Sequence, residues 1–261
     1  MPDCGVIYVA SGPEYVDLAC ASARSLRRTN PGVAADIFTD DAVPPDLFDQ
    51  VHPLTRPGFR AKLTAMQQTR FARTLFLDAD TLVVGPLGDI WTILDRFDCA
   101  LAHDVRRASA LVQGGMPTPY AFPQMNSGVL LYRRSPMMLM LLAEWERRYH
   151  ETQARRDQPI LKELLWSSDI RFYVLPPEFN LRRMTELDAW EPLDARPTIL
   201  HSHRLMDHMH SAYTLGGGPR IADPRSLLRA ERRALRQEWR ASDGDDPIAR
   251  FATAQARLND N

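Results

Sequence analysis

The stretch Arg73-Thr74-Leu75-Phe76-Leu77-Asp78-Ala79-Asp80-Thr81-Leu82-Val83-Val84 limits what this chain can become. An apolar run delivers two carboxylates and then resumes, so the acids sit where a buried strand surfaces. Along a strand, residues two apart point to one side, and Asp78 and Asp80 can therefore face a single divalent cation. Hard oxygen ligands of this kind suit magnesium or manganese, and those ions suit a diphosphate whose charge must be neutralised. An acidic pair at a strand end also serves as a turn or a helix cap, so the pair acquires meaning only from the segments around it.

Those segments alternate in type. Val6 to Ala10 reads as a first buried strand, Ser11-Gly12-Pro13 as the turn into a helix ending near Arg28, and Ala35 to Asp41 as a second strand ending in acids. A β-α-β opening implies a parallel sheet, whose carboxyl ends are where nucleotides bind. The single glycine in Ser11-Gly12 argues against a dinucleotide loop. A helix over about Arg60 to Arg70 carries Lys62, and further helices are expected at Asp89 to Arg96, from Ser135-Pro136 to about Tyr149, and from Asp157-Gln158-Pro159 onward. Strands are expected at Cys99 to Ala102, Met125 to Tyr132, Phe172 to Leu175 and Pro197 to Leu200. Between them, Val105 to Gln124 is broken by Gly114-Gly115, Pro117, Pro119 and Pro123, the composition of a lid or binding loop.

With 261 residues, 44% hydrophobic and 25% charged, the chain can bury one large α/β core, and its net charge of −1 speaks against nucleic acid as the main partner. Of the 32 basic residues all but Lys62 and Lys162 are arginine. Cys4, Cys20 and Cys99 are odd in number and lack paired metal spacing, so reduced thiols and a cytoplasmic location are expected. No basic start followed by a long apolar region is seen, and the greasy run from Met137 to Ala143 is too short to span a bilayer.

From Val6 to His201 the ordered motifs resemble the GT-A-fold nucleotide-diphosphosugar glycosyltransferases, specifically the retaining family 8, the glycogenin and bacterial lipopolysaccharide galactosyltransferase type. The motifs are Lys62, Phe76-Leu77-Asp78-Ala79-Asp80-Thr81-Leu82-Val83, Ala102-His103-Asp104, Asn126-Ser127-Gly128-Val129, Asp157-Gln158, Leu175-Pro176 with Phe179-Asn180, and His201. The resemblance implies an α/β domain over 1–222, with a central mixed, mostly parallel sheet flanked by helices, and a C-terminal helical tail over 223–261. It implies a metal-dependent transfer of a hexose from a UDP-sugar, with retention, to a saccharide, lipid-linked or protein acceptor. Asp78, Asp80 and His201 would ligate Mn2+ or Mg2+, with His203, His208 and His210 as neighbouring alternatives to His201. Asp104, Asn126, Asp157, Gln158 and Lys62 would hold the sugar, with Asp157, Gln158 and Lys62 at the reacting centre. Val9, Ala10, Ser11, Tyr15, Asp40, Asp78 and Arg204 would bind the nucleotide, Tyr15 by stacking on the base. Plain readings stand beside these: a cap for Asp157, a turn acid for Asp104, a solvated helix face for Lys62 and surface packing for Tyr15.

One departure is evident. The family pattern follows its late histidine with a glycine, a lysine and Pro-Trp, whereas here the sequence is Ser202-His203-Arg204-Leu205-Met206, in which Arg204 can replace the lysine. The tail from Arg225 to Arg240 carries six arginines against Glu231 and Glu238, with Leu228, Leu235 and Trp239 on one side. Such a helix either packs on the domain or lies on an anionic membrane at its inner face. Two other readings of the acidic pair are a haloacid-dehalogenase-like phosphatase and a non-catalytic sugar-nucleotide-binding protein. The phosphatase pattern asks for threonine or valine two residues after its second aspartate, where Leu82 stands.

Overall fold

The computed structural model describes residues 3–54, 60–105, 115–152, 154–205 and 224–241. His208, His210, Met206 and much of the expected loop lie outside the described residues, as does the Trp239 side chain. Strands β1 (Cys4–Ala10), β2 (Ala34–Thr39), β3 (Gln50–Pro53), β4 (Arg73–Leu77), β6 (Cys99–His103), β7 (Met125–Arg133) and β8 (Phe172–Val174) form one sheet in the order β3-β2-β1-β4-β7-β6-β8. Every pairing is parallel except those of β7, which runs against both β4 and β6. A separate ribbon pairs β5 (Thr81–Val83) with β9 (Ile199–His201).

The central strands are apolar throughout because both faces of the sheet are covered. On one face Val6, Tyr8, Leu75, Leu77, Val129 and Leu131 pack against α1 (Pro13–Thr29) and the β5/β9 ribbon. On the other, Ile7, Phe76, Leu130 and Tyr132 pack against α2 (Lys62–Ala65), α3 (Pro136–Thr152) and α4 (Gln158–Ser167). The alternation along each strand is the period-two rule at work. The last helix, α5 (Pro224–Ala241), returns to the first face, where Leu228 touches the core. No helix of the described residues is long and apolar enough to cross a membrane.

Three local expectations are corrected. The strand through the acidic pair is two strands: β4 ends at Leu77, Asp78 to Asp80 turn, and β5 joins a different sheet. The helix expected from Arg60 is four residues long plus a 3-10 turn at Met66–Gln68, because Arg60 takes a left-handed φ of 71° that a helix does not admit. The segment Ile90–Asp95 is likewise a 3-10 helix.

Topology selects the functional end. From β1 the chain passes through α1 to β2 on one side, and after β3 it crosses back to β4 on the other. The carboxyl ends of β1 and β4 are therefore a topological switch point, where a crevice opens in open α/β sheets. Tyr8 lies opposite Leu77 in the parallel register, so Val9 and Ala10, still paired with β2, and Ser11 after them follow on beside the Asp78 end of β4.

Candidate active site

Asp78, Asp80 and His201 come together through three separate hydrogen-bonding arrangements. Asp78 N–H donates to Gly128 O at 2.8 Å, which fixes the first acid at the end of β4. The β5/β9 register sets Thr81 opposite His201, and Ser202 N–H donates to Asp80 O at 3.0 Å, which brings the histidine to the second acid. The turn thus produces the convergence that strand periodicity was expected to produce. One ligand atom from each of the three side chains lies within 4.8 Å of the others. His201 Nε2 is 3.1 Å from Asp80 Oδ1 and 3.8 Å from Asp78 Oδ2.

This donor set fits a divalent ion of the manganese or magnesium class, with two hard carboxylates and one imidazole. Space has been left for it. A Cβ on Gly128 would lie 2.1 Å from His201 Cε1 and 2.6 Å from Asp78 Oδ2, so only glycine allows those two side chains to close over β7. Burial alone would lift the Asp80 carboxyl, but His201 and Arg182 outweigh it and hold Asp80 well below the ordinary carboxylate range. Asp80 is therefore ionised and ready to ligate.

Beside the acids opens a cavity of about 680 Å³. Of the residues expected to hold the sugar or the nucleotide, Lys62, Asp78, Asp104, Asn126, Asp157, Gln158 and Arg204 line it. Lys62 is not on a solvated helix face. It is 8% exposed, with Nζ 3.1 Å from Ser127 Oγ, 3.4 Å from Asp78 Oδ1 and 3.5 Å from Asp157 Oδ2. Burial works against its charge, yet Asp157 and Asp78 outweigh burial and raise its pKa above the ordinary lysine value.

Asp157 precedes α4 but makes no side-chain capping bond to it. Its carboxylate instead forms an ion pair with Arg60, Nε to Oδ1 at 2.9 Å, while Trp145 Nε1 donates to its carbonyl at 2.8 Å. The left-handed Arg60 is thus spent on placing a cation against a buried acid at the cavity wall. In the orientation its neighbours require, the Gln158 amide donates to Asp104 Oδ2 and accepts from Asn126 Nδ2, both at 3.1 Å.

Val9, Ala10, Ser11, Tyr15 and Asp40 stand outside the lining of this cavity, at the ends of β1 and β2. Ser11 Oγ donates to Asp40 Oδ2 at 2.6 Å and Gly12 N–H to Asp40 Oδ1 at 2.9 Å, and these bonds lower the Asp40 pKa. Tyr15 is half exposed on α1. His203 also lines the cavity, while His201 alone of the described histidines belongs to the metal-type cluster.

Several lining residues had no signal in the sequence. Arg156, Arg182 and Arg183 were invisible among so many arginines, and Arg60 was read only as a helix start. Glu231 reaches the wall from α5: it is 5% exposed, and its two oxygens accept from Met184 N–H at 2.6 Å and Ser202 Oγ at 2.9 Å. Asn180 had been noted within a motif but given no task, and it touches His201 directly.

No family model and no curated protein matches the sequence. Solved structures do match. The glycosyltransferase GlyE of Streptococcus pneumoniae TIGR4 superposes with a TM-score of 0.56 at 19% identity, over 92% of this chain and 66% of that one. The galactosyltransferase LgtC, solved with donor and acceptor sugar analogues, gives 0.56 at 16% identity over 76% of this chain and 87% of its own. Mouse xyloside xylosyltransferase 1 gives 0.52 at 15% identity over 77% and 98%. The chain therefore has the GT-A fold that these solved glycosyltransferases share.

Proposed function

We propose that this protein is a metal-dependent glycosyltransferase that moves a hexose from a UDP-sugar to a hydroxyl-bearing acceptor with retention of configuration. The observation that carries the reading is the Asp78, Asp80 and His201 cluster at the switch point of a GT-A sheet, opening on a cation-lined cavity of about 680 Å³. That volume lies within the range of small-molecule sites. The fold neighbours are glycosyltransferases, so the phosphatase alternative is not carried further.

Asp78, Asp80 and His201 would hold Mn2+ or Mg2+, which when bound offsets charge developing on the diphosphate. Lys62, a buried fixed cation, adds charge stabilisation at the same place, and Arg182 and Arg204 also line the cavity. Asp104, Asn126 and Gln158 present acceptors and donors for sugar hydroxyls. Asp157 is ion-paired with Arg60 and Lys62, and Gln158 offers only an amide, so we assign no covalent nucleophile among these motifs. The reaction is then front-face: the bond from C1 to the β-phosphate oxygen breaks, the acceptor oxygen bonds to C1, and the departing phosphate oxygen takes the acceptor proton. The three cysteines are free thiols, consistent with the cytoplasmic site of action we propose. The arginine-bearing face of α5 is our candidate for any membrane contact, since its apolar side faces the domain through Leu228.

The test is calorimetric titration of UDP and several UDP-hexoses, with manganese and with chelator, beside Asp80→Ala. Binding that requires metal and disappears in the variant supports the reading, and the tightest sugar nominates the donor. Nucleotide binding under neither condition overturns it.

A further inference from the structure

We propose that Asn180 is a positioning residue shared by two parts of the site, holding His201 as a metal ligand through its oxygen and aligning Asn126 toward the donor sugar through its nitrogen. The inference rests on the metal and donor reading above and assigns a task to a side chain that touches neither ligand.

Gly128 N–H can only donate, and it points at the Asn126 amide, so the nearer atom is Oδ1, at 3.0 Å. The other end of that amide is then nitrogen, and it donates to Asp104 Oδ2 at 3.1 Å, an acceptor as required. Asn126 Oδ1 also receives a bond from Asn180, which must therefore offer its nitrogen, at 3.0 Å. The Asn180 oxygen is left facing His201 Nδ1 at 2.9 Å, so Nδ1 carries the proton and donates. Nε2 is the atom turned to the two aspartates, 3.1 Å from Asp80 Oδ1, and a metal displacing the proton it shares there would take its lone pair. One backbone N–H thus fixes, through two amides, which nitrogen of His201 can ligate.

The relay is dry and rigid. Asn126, Asn180 and His201 are each at most 3% exposed. Asn180 is set by its neighbour Leu181, whose N–H donates to Ile199 O and whose carbonyl accepts from His201 N–H, both at 2.9 Å, so that this segment lies alongside β9. Partners that orient a ligating histidine typically carry 10- to 100-fold of metal affinity.

Two variants separate the two tasks. Asn180→Leu removes both bonds at similar volume. Asn180→Asp keeps an acceptor for His201 Nδ1 but sets a carboxylate oxygen against Asn126 Oδ1. We would measure manganese affinity by calorimetry without nucleotide, UDP and UDP-hexose affinity with manganese, the His201 tautomer by 15N NMR, and melting temperature to establish folding. Asn180→Leu is expected to weaken manganese about 10- to 100-fold and to release the tautomer. Asn180→Asp is expected to keep manganese affinity within about threefold and to lose the advantage of UDP-hexose over UDP. Manganese affinity and tautomer unchanged in folded Asn180→Leu would overturn the proposal, as would equal manganese losses in both variants. If wild type binds no manganese, the metal reading fails instead, and the NMR tautomer still decides the role of Asn180.

Discussion

Replacing Gly128 by alanine adds one carbon, and the structure states where it goes. The new Cβ would sit 2.1 Å from His201 Cε1, 2.6 Å from Asp78 Oδ2 and 2.9 Å from His201 Nδ1. Non-bonded carbons rest about 3.5 Å apart, so the imidazole must recede by about 1.4 Å. It has little room to do so: His201 is 2% exposed, and its Nδ1 is held by Asn180 at 2.9 Å. Gly128 lies within β7 and does not take a left-handed φ, so alanine suits its backbone and the effect falls on the ligands. Disturbing the placement of a ligating histidine costs on the order of 10- to 100-fold in metal affinity, or about 1.4 to 2.8 kcal/mol. Manganese calorimetry on Gly128→Ala should show at least that loss, with transferase activity falling in step. Gly32→Ala is the control, because a Cβ there meets nothing within 4 Å. A folded Gly128→Ala protein with manganese affinity within about threefold of wild type would refute the idea that this glycine makes room for the ligands.

Other expectations are separable from the metal. Lys62→Met should reduce turnover about 100-fold or more in a steady-state transferase assay, with a smaller effect on manganese affinity, since Lys62 is 3.4 Å from Asp78 but is not among the metal-type donors. Trp145→Phe removes the donor to the Asp157 carbonyl and should lower stability by roughly 1 kcal/mol plus a packing term, read as a shift in the urea midpoint. Asp98 joins β6 to its neighbours: despite burial, Arg171 N–H and the Arg133 guanidinium lower its pKa below the ordinary 3.8. A depressed carboxyl gives stability that is complete above the unfolded value and lost as pH falls through the folded one. Asp98→Asn should therefore be less stable at neutrality and lose less between about pH 5 and pH 3 in urea titrations.

Legibility followed how local the cause was. β1, α1 and β2 were readable because runs such as Val6 to Ala10 and the Pro13 start are set by near neighbours. The metal-type cluster was readable because Asp78 and Asp80 sit in one motif and His201 follows an apolar strand. What failed was contextual. The turn between β4 and β5 depends on β9, over a hundred residues away, offering an edge to Thr81. The late start of α2 at Lys62 goes with a left-handed Arg60 whose ion pair with Asp157 no window around position 60 contains. Asp157 has the residue type and place of a helix cap, yet two cations across the cavity claim its carboxylate.

The same distinction bears on the departure after His201. Compared position by position, Ser202-His203-Arg204 has lost the glycine and lysine of the resembling pattern. In the fold, those positions answer to other partners. Ser202 is fully buried, its N–H binding Asp80 O and its hydroxyl binding Glu231 at 2.9 Å, so a glycine there would strip a buried carboxylate of one of its two bonds. Glu231 in turn ties α5 to Met184, two residues beyond Arg182. Arg182 is near enough to lower the Asp80 pKa, and its Nε is buried with no hydrogen-bond partner among the described residues. A positive wall facing the metal-type cluster is thus built from the Arg182 segment and Arg204, braced by a terminal helix, instead of from one contiguous motif. The wall's charge is what stabilising a departing diphosphate requires, so substituting its source is compatible with the proposed chemistry, whereas removing the Ser202 and Glu231 brace is not.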